Sequence, residues 1–279
     1  GAAAVPHPKK VQQGIRGAVL REEGYAGEDA YFVLRGGQHA IGVADGVYLW
    51  RDHGIDAGEF ARSLMSAAKS AAAALGDPVD VLRVARQAVR DMPGVKGSCT
   101  ACVLTLDCNA GVIRSANIGD SGFAVFRPSG RVAFHTPQQE YNFGCPYQLG
   151  HHEGANEADD AQVATVAVDS GDIIVAGSDG LWDNLFDTEI SELLQPLRQI
   201  DVEDPNIRSA HMEQASAAVA RAIVAASLEA STDRRRVTPY SRGASEEFDM
   251  CYSGGKRDDI AVVVARVSSA SEFADSLCG

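Results

Sequence analysis

The sequence predicts an α+β fold of two stacked antiparallel sheets with helix pairs packed outside them. Three observations carry that reading. Short apolar runs bounded by glycine and aspartate occur in succession, as antiparallel hairpins require. Amphipathic helical stripes come in two pairs set between strand blocks, instead of alternating singly with strands. The resulting order is strands, two helices, strands, two helices, strand, which argues against a doubly wound parallel sheet.

Residues 15–20 read as a first strand and 30–34 as a second. Gly36-Gly37 marks a hairpin turn into a third strand over 39–44, which ends at Asp45-Gly46. A helix over 57–75 places Phe60, Leu64, Ala68, Ala71 and Leu75 on one stripe, and Gly76-Asp77-Pro78 stops it. A second helix covers 79–91, with Leu82, Ala85 and Val89 on one face. Strands over 99–107, 112–118, 123–127 and 131–134 follow as a meander, with turns at Asn109-Ala110-Gly111, Gly119-Asp120-Ser121-Gly122 and Pro128-Ser129-Gly130. Residues 136–161 show no periodicity, and His151 and His152 there read as solvated. A hairpin over 163–168 and 172–176, helices over 188–197 and 206–230, and a last strand over 260–267 complete the chain. The whole of 1–279 reads as one domain, with 1–14 a tag or disordered segment and 233–256 a surface loop.

With 45% hydrophobic residues the chain has enough apolar surface for a sizeable core. Its net charge of -13 argues against nucleic acid as a partner, because phosphate backbones are bound by basic surfaces. A phosphorylated substrate remains compatible, since a bound cation inverts the sign of a site. No apolar run reaches the roughly 20 residues of a membrane-spanning helix. Six cysteines in a chain of this length do not define a disulfide framework. Cys99 and Cys102 have CxxC spacing, yet they fall in a strand, where an odd separation sends side chains to opposite faces. They read as buried thiols.

The informative pattern is acidic. Glycine-bounded apolar strands deliver carboxylates at their ends in separate parts of the chain: Glu28 and Asp29, Asp45, Asp120, Asp179 and Asp183, Asp258 and Asp259. Gathered together, such groups repel one another, and divalent cations remove that penalty. Oxygen donors alone suit Mg²⁺ or Mn²⁺.

These motifs resemble the metal-dependent protein serine/threonine phosphatases of the PP2C type. The resemblance rests on Gly27-Glu28-Asp29, Ala44-Asp45-Gly46, Gly97-Ser98-Cys99-Thr100-Ala101, Asn117-Ile118-Gly119-Asp120-Ser121, Ser178-Asp179-Gly180-Leu181-Trp182-Asp183 and Asp258-Asp259-Ile260-Ala261-Val262. Trp50-Arg51-Asp52-His53-Gly54-Ile55-Asp56 and Pro146-Tyr147-Gln148-Leu149 resemble the mitochondrial-type branch related to the T-cell-activation phosphatase homologue.

The resemblance implies an αββα sandwich with a two-ion Mg²⁺ or Mn²⁺ centre in the cleft at one end. It implies hydrolysis of phosphoserine and phosphothreonine in proteins by a water bridging the ions. Asp45 is expected to bridge both ions, with the Gly46 carbonyl as a backbone ligand. Asp179 and Asp258 are expected on one ion. Glu28 is expected to hold water on the other, supported by Asp29. Asp120 and Asp183 match positions that bind a weaker third ion in some members. Asp45, Asp179 and Asp258 are the expected catalytic set, acting on a phosphoprotein partner as a monomer inside the cell, with a mitochondrial location as the branch-level expectation. A catalytically impaired binding module is the alternative. Five positions depart from the family pattern: Val47 stands where a histidine is frequent, Tyr48-Leu49 replaces Gly-Gly, and Gly24 and Gly122 replace arginines.

Overall fold

The computed structural model describes residues 1–6, 24–200 and 205–269; the strand expected over 15–20 lies outside the described residues. The chain begins with β1 (Ala2–Val5), β2 (Tyr25–Ala26), β3 (Asp29–Leu34) and β4 (His39–Ala44). A 3-10 helix, Tyr48–His53, leads into α1 (Ala57–Ala72) and α2 (Pro78–Arg90). Both helices start on an aspartate that accepts an orphan backbone N–H: Asp56 from Gly58 at 3.1 Å and Asp77 from Val79 at 2.9 Å.

The next block holds β5 (Ser98–Cys99), β6 (Ala101–Asp107), β7 (Val112–Ile118), β8 (Gly122–Phe126) and β9 (Val132–His135). Three short strands, β10 (Glu140–Asn142), β11 (Cys145–Pro146) and β12 (Leu149–Gly150), occupy the stretch without periodicity. Then come β13 (Gln162–Ala167), β14 (Ile173–Gly177), α3 (Asp179–Trp182), α4 (Asp187–Leu193) and α5 (Gln195–Arg198). The long α6 (Pro205–Thr232), α7 (Pro239–Phe248) and β15 (Ile260–Arg266) end the described chain.

Among the described residues, one sheet has the order β13-β7-β6-β4-β3-β2 and the other β1-β15-β14-β8-β9, with antiparallel neighbours throughout. Phe60, Leu64, Met65, Leu82 and Val89 of α1 and α2 pack on Phe32, Val103 and Ile118 of the first sheet. Val219 and Ile223 of α6 pack on Val175, Val262 and Val264 of the second. Between the sheets lie Val43, Cys102, Leu104, Phe123, Val125, Ile174 and Val263. Helix, sheet, sheet, helix is thus the layer order that the apolar patterning requires, since strands such as β14 are buried on both faces. Cys99 faces the helix-side core and Cys102 the inter-sheet core; both are free thiols, and burial pushes Cys102 up to about 12 and Cys99 higher.

Four expectations need correction. The strands over 112–118 and 123–127 do not continue one meander: β7 belongs to the first sheet and β8 to the second. Nor do the segments over 163–168 and 172–176 form a hairpin, since β13 pairs with β7 and β14 with β8 and β15. A short turn between two strands looks the same in sequence whether the chain reverses within a sheet or steps across to the other. Ala2–Val5, read as part of a tag, pairs in register with Ile260–Val263. The surface loop over 233–256 contains α7, begun by Thr238, whose hydroxyl accepts from Ser241 N at 3.2 Å.

Candidate metal centre

Where the chain steps from β7 to β8, Asp120 and Ser121 arrive at one end of the sandwich. Thr100, in the break between β5 and β6, ties that step to β4. Its Oγ1 lies 2.7 Å from Ser121 Oγ and accepts from Asp45 N at 3.1 Å, while its own N–H donates to the Asp45 carbonyl at 2.9 Å. Gly46 N donates to the Glu28 carbonyl at 3.2 Å, so the acids on either side of the β3–β4 hairpin are held side by side.

The second sheet meets them through two further bonds, the second of them braced within its own sheet. Asp259 Oδ2 accepts from Glu28 N at 2.8 Å. Ser178 Oγ donates to Asp29 Oδ2 at 2.6 Å and accepts from Ala261 N at 3.0 Å. This approach leaves no room for side chains at two glycines. A Cβ at Gly180 would lie 1.9 Å from the Asp259 carbonyl oxygen. Gly27 has φ +62°, and a Cβ there would lie 2.2 Å from the Asp259 carboxylate. The single turn α3 then carries Asp179 at its start and Asp183 at its end. Its carbonyl at Gly180 is held by Asn184 Nδ2 at 2.9 Å and Ser227 Oγ at 2.6 Å.

Glu28, Asp29, Asp120, Asp179, Asp183 and Asp259 are all buried, and Asp45 and Asp258 are half-buried. Burial pushes the Asp45 carboxyl well above the ordinary carboxylate range, and the charges of Asp179, Asp29, Asp258 and Asp120 add to it. Burial and then Asp259 do the same to Asp29, and burial and then Asp179 to Asp120. Asp179 goes the other way: burial opposes its ionisation, yet the Lys256 ammonium, with hydrogen bonds from Lys256 and Asp45, holds it below that range. Asp29 Oδ1, Asp120 Oδ1 and Asp179 Oδ1 are buried without a hydrogen-bond partner. Orphan oxygens are costly in a protein interior unless a cation takes them.

Two cations of the chain itself sit among these acids. The Arg51 guanidinium donates from Nε to Glu28 Oε1 at 2.6 Å, and its Nη2 contacts the same oxygen. Lys256 Nζ donates to Asp183 Oδ2 at 2.8 Å and also binds Asp179 Oδ2. With these in place, no group of three or more carboxylate, imidazole or thiol side chains among the described residues closes around a single point. In donor type, burial and orphaned oxygens the acids nonetheless fit hard divalent cations.

All the acids expected from sequence therefore meet at one end of the sandwich: Glu28, Asp29, Asp45 and Asp120 from one side, and Asp179, Asp183 and Asp258 from the other. The sequence reading counted Asp259 among the gathered acids without assigning it a ligand role, and gave no role to Ser178, Thr100, Arg51 or Lys256. Arg51 lies in a quoted motif and Lys256 two residues before Asp258, so proximity in sequence was the available clue. His53 is exposed, and its ring centroid lies 6.0 Å from that of Trp50. His151 and His152, expected to be solvated, are half-buried against Trp50 at 4.9 and 5.7 Å. Tyr48 and Leu49 start the 3-10 helix, and neither takes a positive φ.

This two-sheet sandwich is a fold shared with protein phosphatases of known structure. Residues 35–268 match the family described as Stage II sporulation protein E (SpoIIE). The chain is 37% identical over 276 residues to Probable protein phosphatase 2C 55 of Arabidopsis thaliana, covering 98% of this chain and 52% of that protein. It is 31% identical to the Protein phosphatase PTC7 homolog of Homo sapiens, over 91% of this chain and 84% of that one. The X-ray structure of the photosystem II phosphatase PBCP superposes with a TM-score of 0.77 at 31% identity, covering 96% of this chain and 98% of that chain. The catalytic domain of the serine threonine protein phosphatase PstP, solved with two manganese ions, shares the fold at a TM-score of 0.58 and 16% identity, over 96% of this chain and 97% of that one. The chain belongs to the protein phosphatase 2C family. It spans 52% and 58% of the length of two of its plant relatives. Among the described residues no helix is long and apolar enough to cross a membrane.

Proposed function

We propose that this chain is a metal-dependent protein phosphatase that hydrolyses phosphoserine and phosphothreonine in phosphoprotein substrates, with two Mg²⁺ or Mn²⁺ ions held by its acid cluster. One observation carries the reading: burial, and then the charge of neighbouring acids, pushes the Asp29, Asp45 and Asp120 carboxyls up, while Asp29, Asp120 and Asp179 each keep an oxygen unpartnered. Asp45, the Gly46 carbonyl, Asp179, Asp258 and Glu28, with Asp29 behind them, would hold the ions. Bound divalent ions supply an activated water nucleophile and polarise the phosphoryl oxygens.

The protein's own part is positioning and charge. Thr100 and Ser178 fix the backbones and carboxyls that face the cleft. Arg51, whose side chain is 20% exposed, stands at the mouth beside Glu28. It brings a guanidinium to the place where a phosphate dianion enters, the role that the family resemblance gives to the arginine replaced by Gly24. A binding module without turnover draws no support from this geometry. The test is phosphate release from a phosphothreonine peptide with Mn²⁺ and with EDTA. Release with Mn²⁺ and none with EDTA is the expected result; equal rates in both exclude the reading.

A further inference from the structure

Lys256 is not a solvated surface lysine. Its backbone N–H donates to Asn184 Oδ1 at 3.0 Å and its carbonyl accepts from Asn184 Nδ2 at 2.8 Å. Asn184 is fully buried, and the same amide group binds the Gly180 carbonyl inside α3. The lysine is thereby clamped to the very turn that carries Asp179 and Asp183. From that anchor the side chain reaches Asp183 Oδ2 at 2.8 Å and Asp179 Oδ2, with the Tyr240 ring centroid 5.9 Å from Nζ. Tyr240 N in turn donates to the Asp183 carbonyl at 3.0 Å, so α7 braces the same turn. Gln138 Nε2 approaches the other Asp183 oxygen at 3.4 Å. The Lys256 side chain is 26% exposed.

We propose that Lys256 is a built-in third cation: its ammonium fills the position between Asp179 and Asp183 next to Asp120, so that this chain binds two divalent ions and not three. The inference rests on the two-ion reading above. A tethered ammonium and a divalent ion compete for the same carboxylate oxygens, and at contact distance they repel. The tether also matters: an ammonium held by the fold needs no free ion at any concentration, so the charge balance at Asp183 is independent of metal supply. Asp179 serves both sites, one oxygen taken by Lys256 and the other, Oδ1, left without a partner.

The test counts ions. Wild type, Lys256→Ala and Lys256→Arg are equilibrated with Mn²⁺ over a wide concentration range, and bound metal is measured by equilibrium dialysis and elemental analysis. Wild type and Lys256→Arg are expected to saturate at two ions per chain. Lys256→Ala, which vacates the position and removes its charge, is expected to take up a third with at least tenfold higher affinity than any extra binding by wild type. Should Lys256→Ala not fold by circular dichroism, Lys256→Gln, which removes the charge and keeps most of the stem, is read the same way. Three ions on wild type overturn the inference and leave the two-ion reading standing. So does a neutral variant that folds and stays at two. No bound Mn²⁺ on wild type overturns both.

Discussion

Ser178 Oγ donates to Asp29 Oδ2 at 2.6 Å, and both residues are buried. The same oxygen accepts from Ala261 N at 3.0 Å. One hydroxyl thus couples an acid of the first sheet to two strands of the second. Ser178→Ala removes it and leaves Asp29 without its stabilising donor, so the Asp29 carboxyl is expected to rise further above the carboxylate range. Loss of a buried hydrogen bond costs about 1–3 kcal/mol. Urea unfolding of the metal-free protein and Mn²⁺ titration calorimetry check this; unchanged stability together with unchanged affinity contradicts it.

Neutralising two acids of the cluster should have opposite effects on the metal-free fold. Asp45 is crowded by other carboxylates, so Asp45→Asn relieves repulsion and raises the melting temperature. Asp179 is the partner of Lys256, so Asp179→Asn removes a paired charge and lowers it. Both variants are expected to lose metal-dependent turnover. A shared direction of change in scanning calorimetry would refute the argument.

The pH dependence follows from the same asymmetry. Asp29, Asp45 and Asp120 have folded pKa values raised above their unfolded ones, so the native state binds more protons, and their contribution to stability falls as pH rises through the raised values. Asp179 has a lowered value, so its contribution is present at neutral pH and is lost as pH falls through the carboxylate range. Metal-free protein should gain from mild acidification relative to Asp45→Asn, which lacks one of the raised groups. Paired urea titrations across the acid to neutral range measure the difference in slope.

Gly180→Ala places a Cβ 1.9 Å from the Asp259 carbonyl, which is backbone and cannot swing aside. Overpacking of this kind costs about 1–3 kcal/mol. The displacement falls on α3, so Mn²⁺ affinity should drop along with stability. Wild-type affinity in a destabilised Gly180→Ala would show that α3 does not carry the ligands.

Val47 follows Gly46 and cannot donate a proton to a leaving alkoxide. Positioned acid catalysis is worth about 10²–10⁴-fold for a poor leaving group and little for a good one. Val47→His should therefore raise kcat/KM for phosphoserine peptides more than for p-nitrophenyl phosphate. His53→Ala should leave that ratio unchanged, because His53 is exposed and packs near Trp50. An unaltered ratio in Val47→His means that protonation does not limit the reaction.

The acids were legible in the sequence because, apart from Asp183, each stands at the end of an apolar strand beside a glycine or a second acid. The helices α1 and α2 were legible for local reasons too, a stripe of apolar residues on each and the Gly76-Asp77-Pro78 stop between them. What sequence did not disclose is which strands share a sheet. β7 and β8 look like neighbours and are not, and the step between them is what brings Asp120 to Asp45. Lys256 escaped notice because its partners, Asp179, Asp183 and Asn184, lie more than 70 positions earlier, and its place two residues before Asp258 was the one local clue.

The division of the acids between two sheets has a mechanical consequence. The centre is a gauge of the gap across the sandwich, since one jaw carries Asp45 and Asp29 and the other Asp179 and Asp259. Between the jaws lie small residues, Ala176 and Ala261, beside Val43 and Cys102. A larger side chain at either alanine acts as a wedge, opening the jaws while each sheet keeps its own ladder. The spacing of the carboxylates would then drift before the fold gives way, so metal affinity should be the first property lost.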